Sequence, residues 1–236
     1  MAGLKRRDAL FLGGLVALAA GWQVFGVGRQ QIEFTRISSL PGWRFASVGG
    51  SSGLSGDDFL TIGLDDTPDP LQPEQMDAVV HDVAQPGQVP VAVFSDFFCP
   101  YCRGLIGRLR GRTASPEIAV TWHELPLLGP ASVIAAKGAV AAGLQDGYAE
   151  FYATLLSEGF KPSKTWFGRI ADAAGLDGAQ LMADMEAKVV TSKLDQSARA
   201  ASTLGFSGTP GIVIGKDAVL GALDRDLMED VILGNA

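Results

Sequence analysis

Cysteine is almost missing from this chain, with two residues in 236. A secreted framework stapled by several disulfides is thereby excluded, because such scaffolds are cysteine-dense. Histidine is as scarce: the two present, His81 and His123, are not spaced as a ligand pair. A structural zinc site needs four nitrogen or sulfur ligands, and this set does not supply them at suitable spacing. Positive charge is thin as well. Lys and Arg number 19 against 26 Asp and Glu, for a formal charge of −7, and no basic stripe follows the first few residues. That distribution argues against a nucleic-acid partner. No internal repeat stands out. What the chain does have is apolar substance, 47% hydrophobic against 19% charged residues, which supports a folded core and excludes global disorder.

The longest uncharged run lies near the amino terminus. Lys5, Arg6 and Arg7 precede 19 uncharged residues, Ala9 to Val27. As a helix at roughly 1.5 Å per residue this run is about 28 Å long, close to the ~30 Å thickness of a bilayer core. Residues 1–28 are therefore expected to be a targeting segment rather than part of the fold. Ala17-Leu18-Ala19 offers a small-x-small cleavage site, and Arg6-Arg7 resembles a twin-arginine export signal. Cleaved signal peptide and uncleaved membrane anchor both fit. Since positive residues stay inside, either one places the body outside the cytoplasm.

Residues 29–87 read as irregular. Leu40-Pro41-Gly42-Trp43 suggests a turn with an aromatic anchor, GGSSGLSG (Gly49 to Gly56) a flexible loop, and FLTIGL (Phe59 to Leu64) a strand. TPDPLQP (Thr67 to Pro73) is expected to be a linker, with a short proline-initiated helix over Pro73 to Asp82. No chemical role attaches to this segment; packing, or spacing the body from a membrane, accounts for it. From residue 88 to 236 the pattern is α/β. VPVAVFSDFF reads as a strand buried on both faces, YCRGLIGRLRGR as a helix, and Ile118 to Trp122 as a second strand. An alanine-rich helical stretch over about 131–205 follows, broken near Gly159 to Lys164 and near Gly175 to Gly178. GIVIGKDAVLGA (Gly211 to Ala222) then predicts a hairpin turning at Gly215-Lys216-Asp217, and Asp224 is placed to cap a final helix to Leu233.

The two cysteines fall together in SDFFCPYCRG, between the first strand and its helix. A pair this close can be a redox switch, half of a metal site, or a staple. Half a metal site lacks its other half, and a disulfide closing so short a loop restricts the unfolded chain little. Redox chemistry fits better. An unperturbed thiol near pKa 8.5 is only a few per cent thiolate at pH 7. At a helix start, free N–H groups and the helix dipole favour the anion, and Pro100 suits the first turn. The expected geometry is an exposed attacking sulfur, Cys99, and a shielded resolving one, Cys102. Downstream, SGTPGIVIG sets Thr209-Pro210 before a strand. An X-Pro bond there can be cis, and the extended residue before it can pair with an incoming peptide strand.

FSDFFCPYC (Phe94 to Cys102), ELPLLGPASVIAAKGAVAA (Glu124 to Ala142) and GTPGIVIG (Gly208 to Gly215) together resemble the DsbA-like thiol:disulfide oxidoreductases. The resemblance runs from about Val89 to the carboxyl end. It implies a thioredoxin-like α/β fold with an inserted helical subdomain, Cys99 as nucleophile, Cys102 as resolving thiol, Pro210 as a cis-proline facing them, and Thr209 as the backbone contact to substrate. It implies a periplasmic enzyme that needs no cofactor or metal, acts on reduced or misoxidised exported proteins, and is reoxidised by a DsbB-type membrane partner. One departure is Tyr101, where the best-known members carry histidine; a phenol brings no positive charge, which puts the direction of catalysis in doubt. A reductase or isomerase kept reduced by a membrane electron donor is the alternative enzyme, and a non-catalytic membrane-tethered binding module the alternative of another class. Around the site, Asp96 could tune the pair or relay protons, although a capping or solvated carboxylate is as good a reading. His123, Phe97, Phe98 and Trp166 are expected to be packing residues.

Overall fold

A computed structural model describes residues 32–52, 69–109, 117–158 and 163–234. The targeting segment, the FLTIGL stretch and the loop from Gly53 onward lie outside the described residues.

Among the described residues six strands form one mixed sheet in the order β1-β2-β6-β5-β3-β4. They are β1 (Thr35–Arg36), β2 (Arg44–Ser47), β3 (Val89–Ser95), β4 (Ile118–Glu124), β5 (Gly211–Ile214) and β6 (Asp217–Leu220). The centre consists of β3 paired parallel to β4, from Val89↔Ile118 to Ser95↔Glu124, and antiparallel to β5. In β3 the alternation of a strand buried on both faces is visible directly. Val91 and Val93 join one apolar cluster and Ala92 and Phe94 another, on the opposite face.

The first face is covered by α2 (Pro100–Leu109) and α8 (Arg225–Gly234), through Leu105, Leu109, Leu227 and Met228. The second is covered by α1 (Pro73–Val80) and α7 (Lys188–Leu204), through Met76, Val80, Ala201 and Leu204. Leu227 N donates to the Asp224 carboxylate over 2.9 Å, the expected cap of the last helix.

Between β4 and β5 the chain inserts α3 (Pro130–Gly143), α4 (Tyr148–Ser157), α5 (Lys164–Ala173), α6 (Gly178–Asp184) and the long α7. The expected break near Gly175 to Gly178 is present; most of the one near Gly159 to Lys164 lies outside the described residues. Two more follow: one after Gly143, where Asp146-Gly147 is a turn dipeptide, and one after Asp184, where no glycine or proline stands. These helices enclose their own core of Phe151, Trp166, Phe167, Ile170 and Leu181, so Trp166 is the anchor it was expected to be. Gly138 lets α3 lie against that core, since a Cβ there would sit 2.8 Å from the Phe167 ring. This is a thioredoxin-like sheet with a helical insertion.

Residues 32–52 are more ordered than their composition suggests. Arg44 to Ser47 extends the sheet as β2, parallel to β6, and Arg44 makes a two-pronged contact to the buried Asp217 at 2.6 and 2.5 Å. Trp43 stacks near His81 and is buried. Four residues of unremarkable composition, RFAS, carry no periodic signal that sequence reading could use; the partner strand supplies the order. Where β6 ends, Gly221 has φ +114 and its would-be Cβ would lie 2.3 Å from the Val48 carbonyl oxygen. Gly221→Ala is expected to cost about 2–3 kcal/mol through backbone strain and this clash. Thermal unfolding should then fall by roughly 5–10 °C for a domain of this size. An unchanged Tm would show that this crossing is not closely packed.

Candidate functional site

Cys99 follows the short turn after β3, and Cys102 lies one helical turn on in α2. The turn is built by Asp96. Its carboxyl oxygens accept from Phe98 N at 2.7 Å, Leu127 N at 2.7 Å, Leu128 N at 3.0 Å and the Ser132 hydroxyl at 2.8 Å. Its own carbonyl accepts from Cys99 N at 3.0 Å. Asp96 is thus buried and fully engaged, tying the cysteine turn to the loop after β4 and to the start of α3. A solvated carboxylate does not match this geometry, and the N–H groups Asp96 accepts from lie in loops ahead of the helices rather than in their first turns.

The proline loop faces the sulfurs. The Thr209–Pro210 peptide is cis, Thr209 is completely buried, and Cys99 Sγ lies 3.3 Å from the Thr209 carbonyl oxygen. The four residues Cys99, Cys102, Thr209 and Pro210 come together although over a hundred positions separate the pairs. Both cysteines are free thiols.

Their electrostatics diverge sharply. The Cys99 thiol is pulled down from 9.0 to about 5, first by a hydrogen bond from Cys102, against the opposing effect of burial, with further help from Thr209 and Ser52. Cys102 is pushed far up, first by burial and then by its bond to the Cys99 sulfur. The arrangement holds one sulfur as an anion at neutral pH and the other as a thiol that donates to it.

One expectation fails. Cys99 was to be the exposed sulfur, yet it shows 0% exposure, the same as Cys102. Beside Cys99 lies a segment given no role by its composition. Ser52 N donates to the Thr209 carbonyl and Thr209 N donates to the Ser52 carbonyl, each over 2.7 Å, in an isolated antiparallel bridge. Nothing in GGSSGLSG distinguishes Ser52 from its neighbours, so sequence reading had no means to find it. Tyr101 is 45% exposed. Its ring lies against Gly50, where a Cβ would be 3.2 Å from Cδ1.

Glu124, at the end of β4, was part of the ELPLLG pattern but was not singled out. It is buried beneath the site, accepts a short hydrogen bond from the Tyr148 hydroxyl, and is raised to about 8 by burial, which outweighs that bond, with Asp96 adding to the rise. At pH 7 it keeps its proton for most of the time. Phe97 is buried, and Phe98 packs on it edge-to-face at 5.0 Å. His123 stacks on Phe94 at 4.4 Å and bonds Ser197 and the Val80 carbonyl. Burial lowers it to about 4, so it is an uncharged packing residue.

A strand–Cys-x-x-Cys–helix unit opposed by a cis-proline, with a helical insertion between them, agrees with the family comparison. The model of the DSBA-like thioredoxin domain matches residues 90–233. The chain belongs to that family. It is a thiol–disulfide oxidoreductase of the DsbA type. Among solved structures, a thioredoxin-like oxidoreductase from Silicibacter pomeroyi DSS-3 is 34% identical over 66% of this chain and 95% of its own, with a TM-score of 0.57. The thiol-disulfide exchange protein alpha-DsbA2 from Wolbachia pipientis shares 22% identity, covering 69% and 93%, with a TM-score of 0.62. A periplasmic thioredoxin-like protein from Salmonella enterica serovar Typhimurium shares 21% over 68% and 95%, at 0.59. The search of curated proteins returned no match. Among the described residues no helix is long and apolar enough to cross a membrane.

Proposed function

We propose that this DsbA-type oxidoreductase works as an oxidase on exported proteins in the periplasm, with Cys99 and Cys102 as its redox pair. The observation that carries the direction is the low pKa of Cys99 beside a protonated Cys102. In the forward reaction a substrate thiolate attacks the Cys99 sulfur of the enzyme disulfide. The Cys99–Cys102 bond breaks and Cys102 leaves, taking a proton because its own pKa is high. A second substrate thiolate then attacks the substrate sulfur of the mixed disulfide and expels Cys99. Two electrons pass from two substrate thiols to the enzyme pair. The last leaving group is the thiolate this site stabilises most, so the reduced enzyme is favoured and the disulfide is oxidising. Thr209 offers its backbone to the substrate chain next to Pro210. The groups that hold the Cys99 anion are Cys102, Thr209 and Ser52, so the absence of a histidine at Tyr101 does not weaken the reading.

The charged Lys5-Arg6-Arg7 and the uncharged run to Val27 support export, by a cleaved signal or as an inner-membrane anchor, ahead of residues 29–87 and a redox domain from residue 88. The clients are reduced or misoxidised exported proteins, and a DsbB-type quinone-linked membrane protein would return the pair to the disulfide.

The test is one preparation measured twice. Ultraviolet titration of the reduced pair should show a thiolate appearing with a midpoint about 5, and reactivity falling about tenfold per pH unit below it. At pH 7 the two pH units between that midpoint and neutrality are worth ~2.7 kcal/mol, or about 60 mV of oxidising shift relative to unperturbed thiols. Cys102 adds nothing there, being protonated with or without its upward shift. A potential near the about −270 mV of thioredoxin would overturn the oxidase direction and favour a reductase.

A further inference from the structure

Thr209 is the backbone on which the proposed substrate strand would add, and in this chain that backbone is already in use. Both its N–H and its carbonyl are bonded to Ser52 at 2.7 Å, the two bonds that an incoming antiparallel peptide would need. Two further anchors hold the same segment in place. Val48 N donates to the Leu220 carbonyl at 2.8 Å, continuing the β2–β6 pairing, and Ala222 N donates to the Gly49 and Gly50 carbonyls at 3.3 and 3.1 Å. Gly50, with φ +81, brings the strand flat against Tyr101 and Ala222 without a side chain between them. Ser52 is also among the groups that lower the Cys99 pKa, at the sulfur a substrate would have to reach. Serine has the shape of cysteine and cannot form the disulfide.

We propose that Val48–Ser52 is an internal pseudosubstrate strap: it occupies the substrate edge of the site, covers Cys99, and must be displaced before a polypeptide thiol can react. The proposal rests on the reading that Thr209 and Cys99 form the substrate site, and it adds a gate to that site. An open sheet edge beside a reactive sulfur would otherwise pair with any extended chain. A strap that bonds Thr209 through backbone favours clients able to offer an extended segment with a cysteine, since those replace both bonds they remove from Thr209.

Two full-length variants test it. In oxidised Ser52→Cys, the new thiolate should attack the Cys99 sulfur of the Cys99–Cys102 disulfide. A 52–99 bond then forms, the 99–102 bond breaks, and the proton passes to Cys102; peptide mapping by mass spectrometry reads the linkage. In reduced Ser52→Pro, the donor to the Thr209 carbonyl is gone, and iodoacetamide at pH 7 should alkylate Cys99 about tenfold faster than in wild type. Loss of the hydroxyl by itself would raise the Cys99 pKa. At pH 7 the sulfur stays mostly thiolate and its reactivity changes only about two- to threefold per pKa unit, so a gain of about tenfold reports opening and not altered chemistry. Absence of the 52–99 linkage, or alkylation of Ser52→Pro no faster than wild type, overturns the strap. Should Ser52→Pro not fold, the near-isosteric Ser52→Cys variant decides alone. Neither readout involves turnover or a reduction potential. A thioredoxin-like potential with a strong 52–99 linkage would therefore sink the oxidase direction and leave the strap standing, and the reverse result would do the opposite.

Discussion

Cys99→Ser is expected to abolish thiol–disulfide exchange entirely, while Cys102→Ser leaves a protein that reacts once and stays attached. The two sulfurs are equally buried, so exposure does not separate them; their bonding does. Cys99 is the sulfur lowered to about 5 and facing the Thr209 carbonyl at 3.3 Å. A serine hydroxyl there is neither ionised nor able to make a disulfide. Cys102 cannot take over, because burial pushes its pKa upward and keeps it protonated. In Cys102→Ser the Cys99 thiolate still attacks a disulfide in a protein substrate. One substrate sulfur leaves as thiolate, and the mixed disulfide finds no neighbouring thiol to resolve it. Its pKa should also rise, since the bond from Cys102 is the largest of the influences lowering it, although a serine at 102 can donate in its place. Non-reducing electrophoresis of each full-length variant with a disulfide-containing protein reads the result. Turnover by Cys99→Ser above the buffer background, or no covalent adduct with Cys102→Ser, would remove Cys99 from the role of nucleophile.

The parts visible in the sequence were those with a local cause. Alternation and β-branching mark β3 because a strand buried on both faces must be apolar throughout. Pro100 after Cys99 marks the helix start, and Asp224 marks a cap, because each effect acts within one turn. Thr209-Pro210 was readable only with the cysteines over a hundred residues upstream, since a lone Thr-Pro is an ordinary turn. The parts that stayed hidden are set by partners distant in sequence. Ser52 matters because Thr209 lies opposite it. β2 is a strand because β6 accepts it, and Glu124 keeps its proton because the folded chain buries it, an effect that outweighs the Tyr148 hydrogen bond α4 supplies. Asp96 is intermediate: it lies three residues before Cys99 and bonds Phe98 N locally, but its other three bonds go to the loop after β4 and to α3, which nothing local foretells.

Those four bonds make Asp96 the site's most consequential residue outside the sulfurs and the proline loop. Asp96→Ala is expected to destabilise the protein by about 3–5 kcal/mol. Three backbone N–H groups and the Ser132 hydroxyl lose one common acceptor, in a place where only 1% of the residue is exposed. Each unmet buried donor costs about 1–3 kcal/mol, and water entering the space left by the carboxylate would recover part of the sum. At roughly 2–4 °C per kcal/mol for a domain of this size, reduced Asp96→Ala should unfold on the order of 10 °C below wild type. Asp96→Asn should fall between the two, because one amide oxygen can still accept while its NH2 group confronts donors. The same substitutions reach the chemistry through position alone. Phe98 N, held at 2.7 Å by Asp96, directly precedes Cys99, so the turn loosens and the Cys99 thiolate midpoint should move upward from about 5. A variant with unchanged Tm would show that the hub is dispensable. Lost stability with an unmoved thiolate midpoint would confine Asp96 to the fold.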